Sequence, residues 1–372
     1  MSIRILADAS LPLLTEAFPE PFQITTYRNA QDIPGFLADQ SILLCRSTLP
    51  INLPLIATTK QLKIVATASS GTDHIDQDIL NERAIQLFDA KGSNADSVAD
   101  YVLASLAYLR KHCHFKGYIV GIIGVGAVGS AVANRLKRLG LKIIYFDPVR
   151  ALNDNSFQSD SLEALQACEL ICVHANLHDK PPYPSRHLIN RAFLEKMAPG
   201  SAIINAARGN IVDEQAIIEK LSIITPELRD TAHLIYCTDV YANEPAINPQ
   251  IVQHATLCTP HIAGHSIEAK VRAVTMLSQK IHAYYRLTPP TLLDQKPSSE
   301  TTSIDVRDFS AGWEQKILDF YDPMQESLVL KQASTQHPHQ CHTEGLEAKV
   351  SIAETFMRLR RQHQFRHELI SP

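Results

Sequence analysis

One stretch constrains the fold more than any other. YIVGIIGVG (118–126) reads as a strand entering a glycine-rich turn, AVGSAVANRLKRLG (127–140) as a helix stopped by Gly140, and KIIYFD (142–147) as the next strand. The turn, Gly124-Val125-Gly126-Ala127-Val128-Gly129, is a G-x-G-x-x-G. Its first glycine permits the tight turn, its second lets a pyrophosphate approach the backbone, and its third lets helix and strand pack closely. An anion then rests on the helix N-terminus, where free N–H groups and the dipole favour negative charge. Asp147 closes the following strand, where a carboxylate bonds the adenosine ribose hydroxyls and repels a 2′-phosphate. That points to NAD over NADP, a preference that the nearby Arg150 softens. The plainer alternative is a glycine-rich turn that binds nothing. The order strand, turn, helix, strand, acid argues against it.

The rest of the chain repeats the alternation. IRILAD (3–8), SILLCRS (41–47), KIVATASS (63–70) and IQLFDA (85–90) read as strands, with LPLLTEAF (11–18) and IDQDILNERA (75–84) as helices between them. Strands spaced by helices predict a parallel sheet covered on both faces. NADSVADYVLASLAYLRKH (94–112) has apolar groups at helical spacing, acids early and bases late, which predicts a long buried helix. After residue 147 the rhythm continues through SLEALQAC (161–168), ELICVHAN (169–176), SAIINAARG (201–209), DEQAIIEKL (213–221), HLIYCTDV (233–240) and ATLCTPHIAG (255–264). SIEAKVRAVTMLSQKIHAYYR (266–286) is then one amphipathic helix. From about 289 the chain becomes polar: TPPTLLDQKPSSETTS reads as a linker and the remainder as a small third domain.

Composition narrows the function classes. In 372 residues, 45% apolar and 20% charged, there is material for real cores, and 35 basic against 39 acidic residues leave a net charge of −4. That balance gives no support to a nucleic-acid or membrane-surface protein. The longest uncharged apolar stretch, Tyr118 to Ala133, falls short of the roughly 20 residues of a membrane span. MSIRILAD reaches Asp8 before any long hydrophobic run, so no signal peptide is expected. Seven scattered cysteines without framework spacing read as reduced thiols, so a cytoplasmic location is expected. HCH (112–114) and HPHQCH (337–342) lack the paired spacing of a zinc site, and no metal is expected. Cys168 and Cys172 read as buried thiols. The basic end RLRRQHQFRH (358–367) reads as a solvated helix face, with reach to an anionic substrate across a dimer as the sharper alternative.

Three more residues suggest chemistry. Arg208 follows INAA at a strand end, the ligand edge of open α/β sheets, where a guanidinium clamps a carboxylate and polarises an adjacent carbonyl. His261, in TPHIAG, also follows an apolar run, and an imidazole suits the proton that a hydroxyl must lose along with its hydride. Glu244, before Pro245, would hold that imidazole in one tautomer. By itself, among 16 histidines, His261 more often describes a hydrogen-bonded structural residue, and Arg208 equally describes a surface salt-bridge partner.

Taken as an ordered set, SSGTDHID (69–76), GIIGVGAVG (121–129), INAARGNIVDEQAI (204–217), TDVYANEP (238–245) and TPHIAG (259–264) resemble the D-isomer-specific 2-hydroxyacid dehydrogenases. CRS (45–47), KGSNADSVADYV (91–102), FDPVRA (146–151), PYPSRHLI (182–189), HIAGHSIEAKVRA (261–273) and FYDP (320–323) point within that family to a member acting on a small phosphorylated 2-hydroxy acid. The resemblance implies an α/β fold: a Rossmann-type doubly wound parallel sheet inserted into a flavodoxin-like substrate domain, plus a small C-terminal α+β dimerisation domain. Residues 1–95 and 266–288 would form the substrate domain, 96–265 the NAD-binding domain, and 289–372 the dimerisation domain of a homodimer. Arg208, Glu244 and His261 would be the catalytic set. Gly124, Gly126, Ala127, Val128, Gly129, Asp147, Ala175, Asp239 and Gly264 would bind NAD, with Asp239 near the nicotinamide amide. Arg46, Ser47, Ser69 and His265 would contact the substrate, Arg46 at its phosphate.

Three departures stand out. His265 occupies a position where relatives carry Tyr, HAN (174–176) replaces the usual His-Thr-Pro, and SIITPELRDTAHL (222–234) is longer than usual, an insertion best housed in a surface loop. Two other functions fit the sequence: the same chemistry on 3-phosphoglycerate or a short unphosphorylated hydroxy acid, and a non-catalytic NAD-sensing regulator on the same scaffold.

Overall fold

The structure, a computed structural model, describes residues 2–57, 59–222, 233–292, 312–335, 352–363 and 365–369. The insertion after Ser222 (residues 223–232) and the HPHQCH segment lie outside them. The chain divides into two compact units, one of Met1–Asn94 with Ser266–Thr302, the other of Ala95–His265 with Ser303–Pro372.

The first unit holds a five-stranded parallel sheet of β1 (Ile3–Asp8), β2 (Phe22–Tyr27), β3 (Ile42–Cys45), β4 (Ile64–Thr67) and β5 (Gln86–Asp89), in the order β2-β1-β3-β4-β5. The side-chain period of two divides each strand between two cores: Ile5, Ala7, Ile42, Leu44, Ile64 and Ala66 on one face, Leu6, Leu43, Cys45 and Val65 on the other. Ala273, Val274, Leu277 and Ile281 of the helix Ile267–Tyr284 cover the first of these faces. β2 escapes the sequence reading because it is an edge strand, and Gln23, Thr25 and Thr26 dilute its apolar signal.

The second unit holds a six-stranded parallel sheet of β6 (Ile119–Ile123), β7 (Lys142–Phe146), β8 (Leu170–Val173), β9 (Ala202–Asn205), β10 (Ile235–Thr238) and β11 (Leu257–Cys258), in the order β11-β10-β9-β8-β6-β7. The helix Ala95–His112 carries Asp96 in its first turn and Arg110, Lys111 and His112 in its last, matching the helix dipole, and buries Tyr101, Val102, Leu103 and Leu106. β11 is much shorter than the expected run 255–264. Pro260 has no N–H to donate, and His261 turns the chain away at φ 57°.

Where the sequence predicts a small α+β domain, the described C-terminal residues hold helices and are grouped with the second unit. These are the helices Trp313–Phe320, Met324–Thr335 and Ile352–Gln362. Trp313, Ile317, Leu318 and Tyr321 share a core with the helix Ala95–His112, while Leu330 and Phe356 enter the core on the opposite face of the sheet. Apolar side chains at helical spacing bury themselves on faces that would otherwise meet water. Among the described residues no helix is long and apolar enough to cross a membrane.

Candidate active site

In the second unit the strand order reverses at β6: the chain passes to β7 on one side and returns to β8 on the other, leaving a crevice at the carboxyl ends. The glycine turn lies there. Gly124 has φ 81°, and a Cβ on it would stand 2.4 Å from Cα of Ala175 beyond β8. A Cβ on Gly129 would stand 2.0 Å from the carbonyl oxygen of Gly124, so the helix Ala127–Arg138 packs backbone-close to the turn. A Cβ on Gly126 would meet nothing within 4 Å. This middle position is open within that distance among the described residues, which fits a backbone cradle for pyrophosphate; the N-terminal turn of a twelve-residue helix follows it.

Asp147 braces the turn: its carboxylate accepts the N–H of Val125 at 2.8 Å and that of Arg150 at 2.9 Å. Arg150 is committed locally, donating to the Val125 carbonyl at 2.7 Å and through Nε and Nη2 to Asp154 at 3.1 Å. The His174 ring nitrogens, just before Ala175, are buried with no hydrogen-bond partner among the described residues, and burial pushes that imidazole down to about 3.

The other end of the same edge carries the candidate catalytic groups. Nδ1 of His261 lies 2.6 Å from Oε2 of Glu244, whose Oε1 accepts the Tyr241 N–H at 2.9 Å. Burial pushes the Glu244 carboxyl up. The His261 charge and hydrogen bond, the Tyr241 N–H and Arg360 together outweigh burial and hold it below the usual carboxylate range. Arg208 follows β9, and its Nη1 donates to the Ala207 carbonyl at 2.7 Å. Gly209 brings that loop against the Glu244 loop, since a Cβ there would stand 1.9 Å from the Tyr241 carbonyl carbon; Asn210 donates to the Ala242 carbonyl at 3.0 Å. His261 and Glu244 are therefore directly joined, and Arg208 sits on the adjoining loop.

Asp239 is buried and organises the His261 loop. Its carboxylate accepts the Thr259 hydroxyl (2.7 Å) and the N–H groups of Ile262 (2.7 Å) and Ala263 (2.8 Å), leaving roughly one of its four lone-pair positions for a ligand. Burial raises this carboxyl, opposed by the His261 charge and these three donors. Tyr101 and Tyr241 hydroxyls hold Thr259 from two sides, at 2.8 and 3.1 Å. Gly264 and His265 close the loop, with the His265 N–H on the Ile262 carbonyl at 2.9 Å.

The residue His265 stacks on Phe365 (centroids 5.1 Å apart, planes at 17°) and lies 5.8 Å from the His363 ring. Its Nδ1 is buried with no partner among the described residues, and burial, then Arg360, His363, His261 and Arg366, drive its basicity well below that of a free imidazole. The basic end is thus no solvated helix face throughout. The helix stops at Gln362, and Arg366 turns inward to donate to the carbonyls of Ala263 (2.6 Å), Ser97 (3.0 Å) and Ile262 (3.2 Å). Sequence reasoning missed Arg366, Phe365, Thr259 and Tyr101. Only their spatial neighbours give them meaning.

In the first unit the order reverses between β1 and β3, and the two neighbouring strand ends carry Asp8 and Arg46. Asp8 accepts the Arg46 Nε at 2.9 Å and the Ser10 hydroxyl at 2.7 Å. Ser47 is the next residue after Arg46. Ser69, after β4, donates to the Gly71 carbonyl at 2.8 Å and shares a hydrogen bond with Thr67 at 2.8 Å. Burial and then the Arg46 charge lower Lys270, a second cation near this edge that the sequence reading passed over.

Comparison with known proteins agrees with this geometry. The model of the D-isomer specific 2-hydroxyacid dehydrogenase NAD-binding domain matches residues 105–263. The chain is 45% identical over 366 residues to erythronate-4-phosphate dehydrogenase of Legionella pneumophila (strain Lens), covering 98% of this chain and 95% of that one. It is 33% identical over 341 residues to the enzyme of the same name from Coxiella burnetii (strain RSA 493 / Nine Mile phase I), covering 91% and 90%. Among solved structures, cofactor-bound 3-phosphoglycerate dehydrogenase of Entamoeba histolytica aligns with a TM-score of 0.62 at 23% identity, covering 77% of this chain and 96% of that one. NAD-dependent formate dehydrogenase from Staphylococcus aureus, in complex with NAD, aligns at 0.61 and 22%, covering 76% and 96%. The fold is that of these dehydrogenases, and the protein is an NAD-dependent oxidoreductase. With relatives this similar over nearly its whole length, the chain belongs to the erythronate-4-phosphate dehydrogenase family of D-isomer-specific 2-hydroxyacid dehydrogenases.

Proposed function

We propose that the protein oxidises 4-phospho-D-erythronate to (R)-3-hydroxy-2-oxo-4-phosphooxybutanoate, a step toward pyridoxine 5′-phosphate. The observation that carries the chemistry is the His261–Glu244 pair, 2.6 Å apart on the sheet edge that also holds the open glycine cradle. NAD, when bound, accepts the hydride from C2 of the substrate. Gly124, Gly126, Ala127, Val128 and Gly129 hold its pyrophosphate on backbone N–H groups, Asp147 takes the ribose hydroxyls, and Ala175, Asp239 and Gly264 line the remainder. Arg208 clamps the C1 carboxylate in its planar fork. His261 takes the C2 hydroxyl proton at Nε2, because Nδ1 is engaged by Glu244, which stabilises the imidazolium that forms.

Arg46 and Ser47 receive the phosphate and Ser69 contacts the substrate. Support for the phosphate role is the place of Arg46 at the reversal point of its sheet, oriented by Asp8. His265 shapes the substrate pocket beside His261. The protein works in the cytoplasm as a homodimer joined through its C-terminal helices. In support, the six described cysteines are free, and Leu328 and Val329 on the helix Met324–Thr335 are 47% and 46% exposed.

The test is the appearance of reduced nicotinamide with 4-phospho-D-erythronate, against 3-phospho-D-glycerate and D-lactate, with a 2-oxo acid present to regenerate NAD. A clear preference for the four-carbon phosphate is the expected result. Preference for another acid overturns the substrate, and no turnover with NAD still bound overturns the enzymatic reading in favour of a regulator.

A further inference from the structure

We infer that Arg366, near the C-terminus, is a positioning residue for the reaction: it holds the backbone of the loop that carries His261. The proposal rests on the acid/base role given to His261 above. Non-glycine residues rarely adopt a left-handed backbone, yet His261 has φ 57°, so its neighbours must over-determine that conformation. The two residues after it are held on both sides. Their N–H groups, of Ile262 and Ala263, go to the Asp239 carboxylate. Their carbonyls go to the Arg366 guanidinium, Ile262 O at 3.2 Å from Nη1 and Ala263 O at 2.6 Å from Nη2.

Nη2 also reaches the Ser97 carbonyl at 3.0 Å and hydroxyl at 3.2 Å, and the Ser97 hydroxyl itself donates to the Ala263 carbonyl at 2.9 Å. Ser97 lies in the first turn of the helix Ala95–His112, so one guanidinium ties the loop to a buried helix. The fork is itself anchored. It lies 4.4 Å from the Tyr321 ring, and three residues on, the Leu369 N–H meets the Asp100 carboxylate at 2.8 Å, which Arg135 engages on its other oxygen at 2.8 Å.

Ile262 and Ala263 are fully buried, so removing the fork takes one of two donors from each carbonyl, leaving only the His265 N–H on Ile262 and the Ser97 hydroxyl on Ala263 in a place water does not reach. The loop then shifts to recover hydrogen bonds, and the imidazole direction shifts with it. A lysine cannot replace the fork, because its single ammonium cannot span acceptors on two elements in one plane.

The experiment uses the full-length protein with Arg366→Ala and Arg366→Lys, measuring kcat, KM for 4-phospho-D-erythronate, NAD affinity by fluorescence quenching, and the deuterium isotope effect on kcat with substrate deuterated at C2. Both variants are expected to lose kcat by about 10- to 100-fold, the effect of roughly 1 Å of misplacement, and to show an enlarged isotope effect because chemistry has become limiting. NAD affinity should fall by less than kcat does, since the glycine turn that holds the pyrophosphate lies apart from the fork and only Asp239 and Gly264 join the loop to the cofactor.

Unchanged kcat in Arg366→Ala, full activity in Arg366→Lys, or a loss of active protein with kinetics and isotope effect otherwise unaltered would each overturn the proposal. Should Arg366→Ala fail to fold, Ser97→Ala removes one branch of the network and is expected to lower kcat about threefold with the same isotope signature; no change in kcat would count against the proposal. His261→Ala separates the two readings. If it keeps turnover, the acid/base assignment fails, whereas an inactive His261→Ala beside a fully active Arg366→Ala defeats the positioning role alone.

Discussion

The glycine turn after β6 and the His261 loop after β11 share one sheet edge but are built in opposite ways. The turn is made almost wholly by its own neighbourhood: Gly124 supplies the positive φ, Gly129 the close helix approach, and Asp147 the brace across adjacent strands. The His261 loop borrows its shape. Its hydrogen bonds come from Asp239, from Tyr101 acting on Thr259 at a sequence separation of 158, and from Arg366 acting on Ile262 at a separation of 104. A cofactor's pyrophosphate needs only backbone N–H groups and room, which local sequence provides. A proton-transfer group needs one imidazole pointed one way, and that orientation comes from packing and second partners.

The sharpest way to break this comparison is His261→Ala. Turnover should fall by about 10³-fold, within the range for loss of a positioned acid/base, while NAD affinity measured by quenching stays within about twofold. A matching loss of NAD affinity would show that the two ends of the edge are not independent.

Next come two substitutions within the turn that should act differently. Gly129→Ala places a methyl 2.0 Å from a backbone oxygen and should cost about 3 kcal/mol of stability in thermal or urea unfolding. Gly126→Ala meets no atom within 4 Å among the described residues, so its melting temperature should hold while NAD affinity drops by about tenfold, because the methyl occupies the pyrophosphate's approach. Equal stability losses in both would refute the division of labour among the glycines.

Arg46→Ala tests the first unit. KM for the phosphorylated acid should rise about 10- to 100-fold, as expected for a lost charge-assisted hydrogen bond, with little change on unphosphorylated hydroxy acids. A uniform loss on all substrates would remove Arg46 from the phosphate.

The last effect is on stability in acid. His174 and His265 are both held neutral by burial, with folded pKa values depressed below the ordinary 6.5. Below pH 6.5 the unfolded chain binds protons that these folded groups do not, so this stability is present above pH 6.5 and is lost as the pH falls. The loss is about 1.4 kcal/mol per pH unit for each histidine, until the folded group itself titrates. His265→Tyr should flatten the decline in melting temperature between pH 6.5 and 5, and an unchanged slope would mean that His265 is not held neutral.

Legibility followed the same divide. Every residue of the glycine turn, its strand and Asp147 could be read in order, because period-two apolar runs and glycine punctuation are local signals. Glu244 and His261 were found as chemically apt side chains near strand ends, but only the fold joins them at 2.6 Å. β2 has little sequence signal because an edge strand carries few apolar residues, and β11 is shorter than its apolar run because Pro260 and the turn at His261 end its pairing early. The basic end is a solvated helix face at Arg358 and Arg361 but not at Arg366, because charge composition describes a surface and nothing local says that Arg366 faces buried carbonyls.

By itself, then, the sequence determined the parallel α/β architecture, the nucleotide turn and the family to which the chain belongs, since each depends on residues close in the chain or on an ordered set of motifs. Tertiary structure alone decided that Asp239 caps the His261 loop, that the C-terminal residues join the second unit, and that an arginine 104 positions away holds the loop's carbonyls. The reason is physical. A hydrogen bond has no sequence signature when its partners lie far apart in the chain, and burial sets the strength of such a bond only once the fold has excluded water.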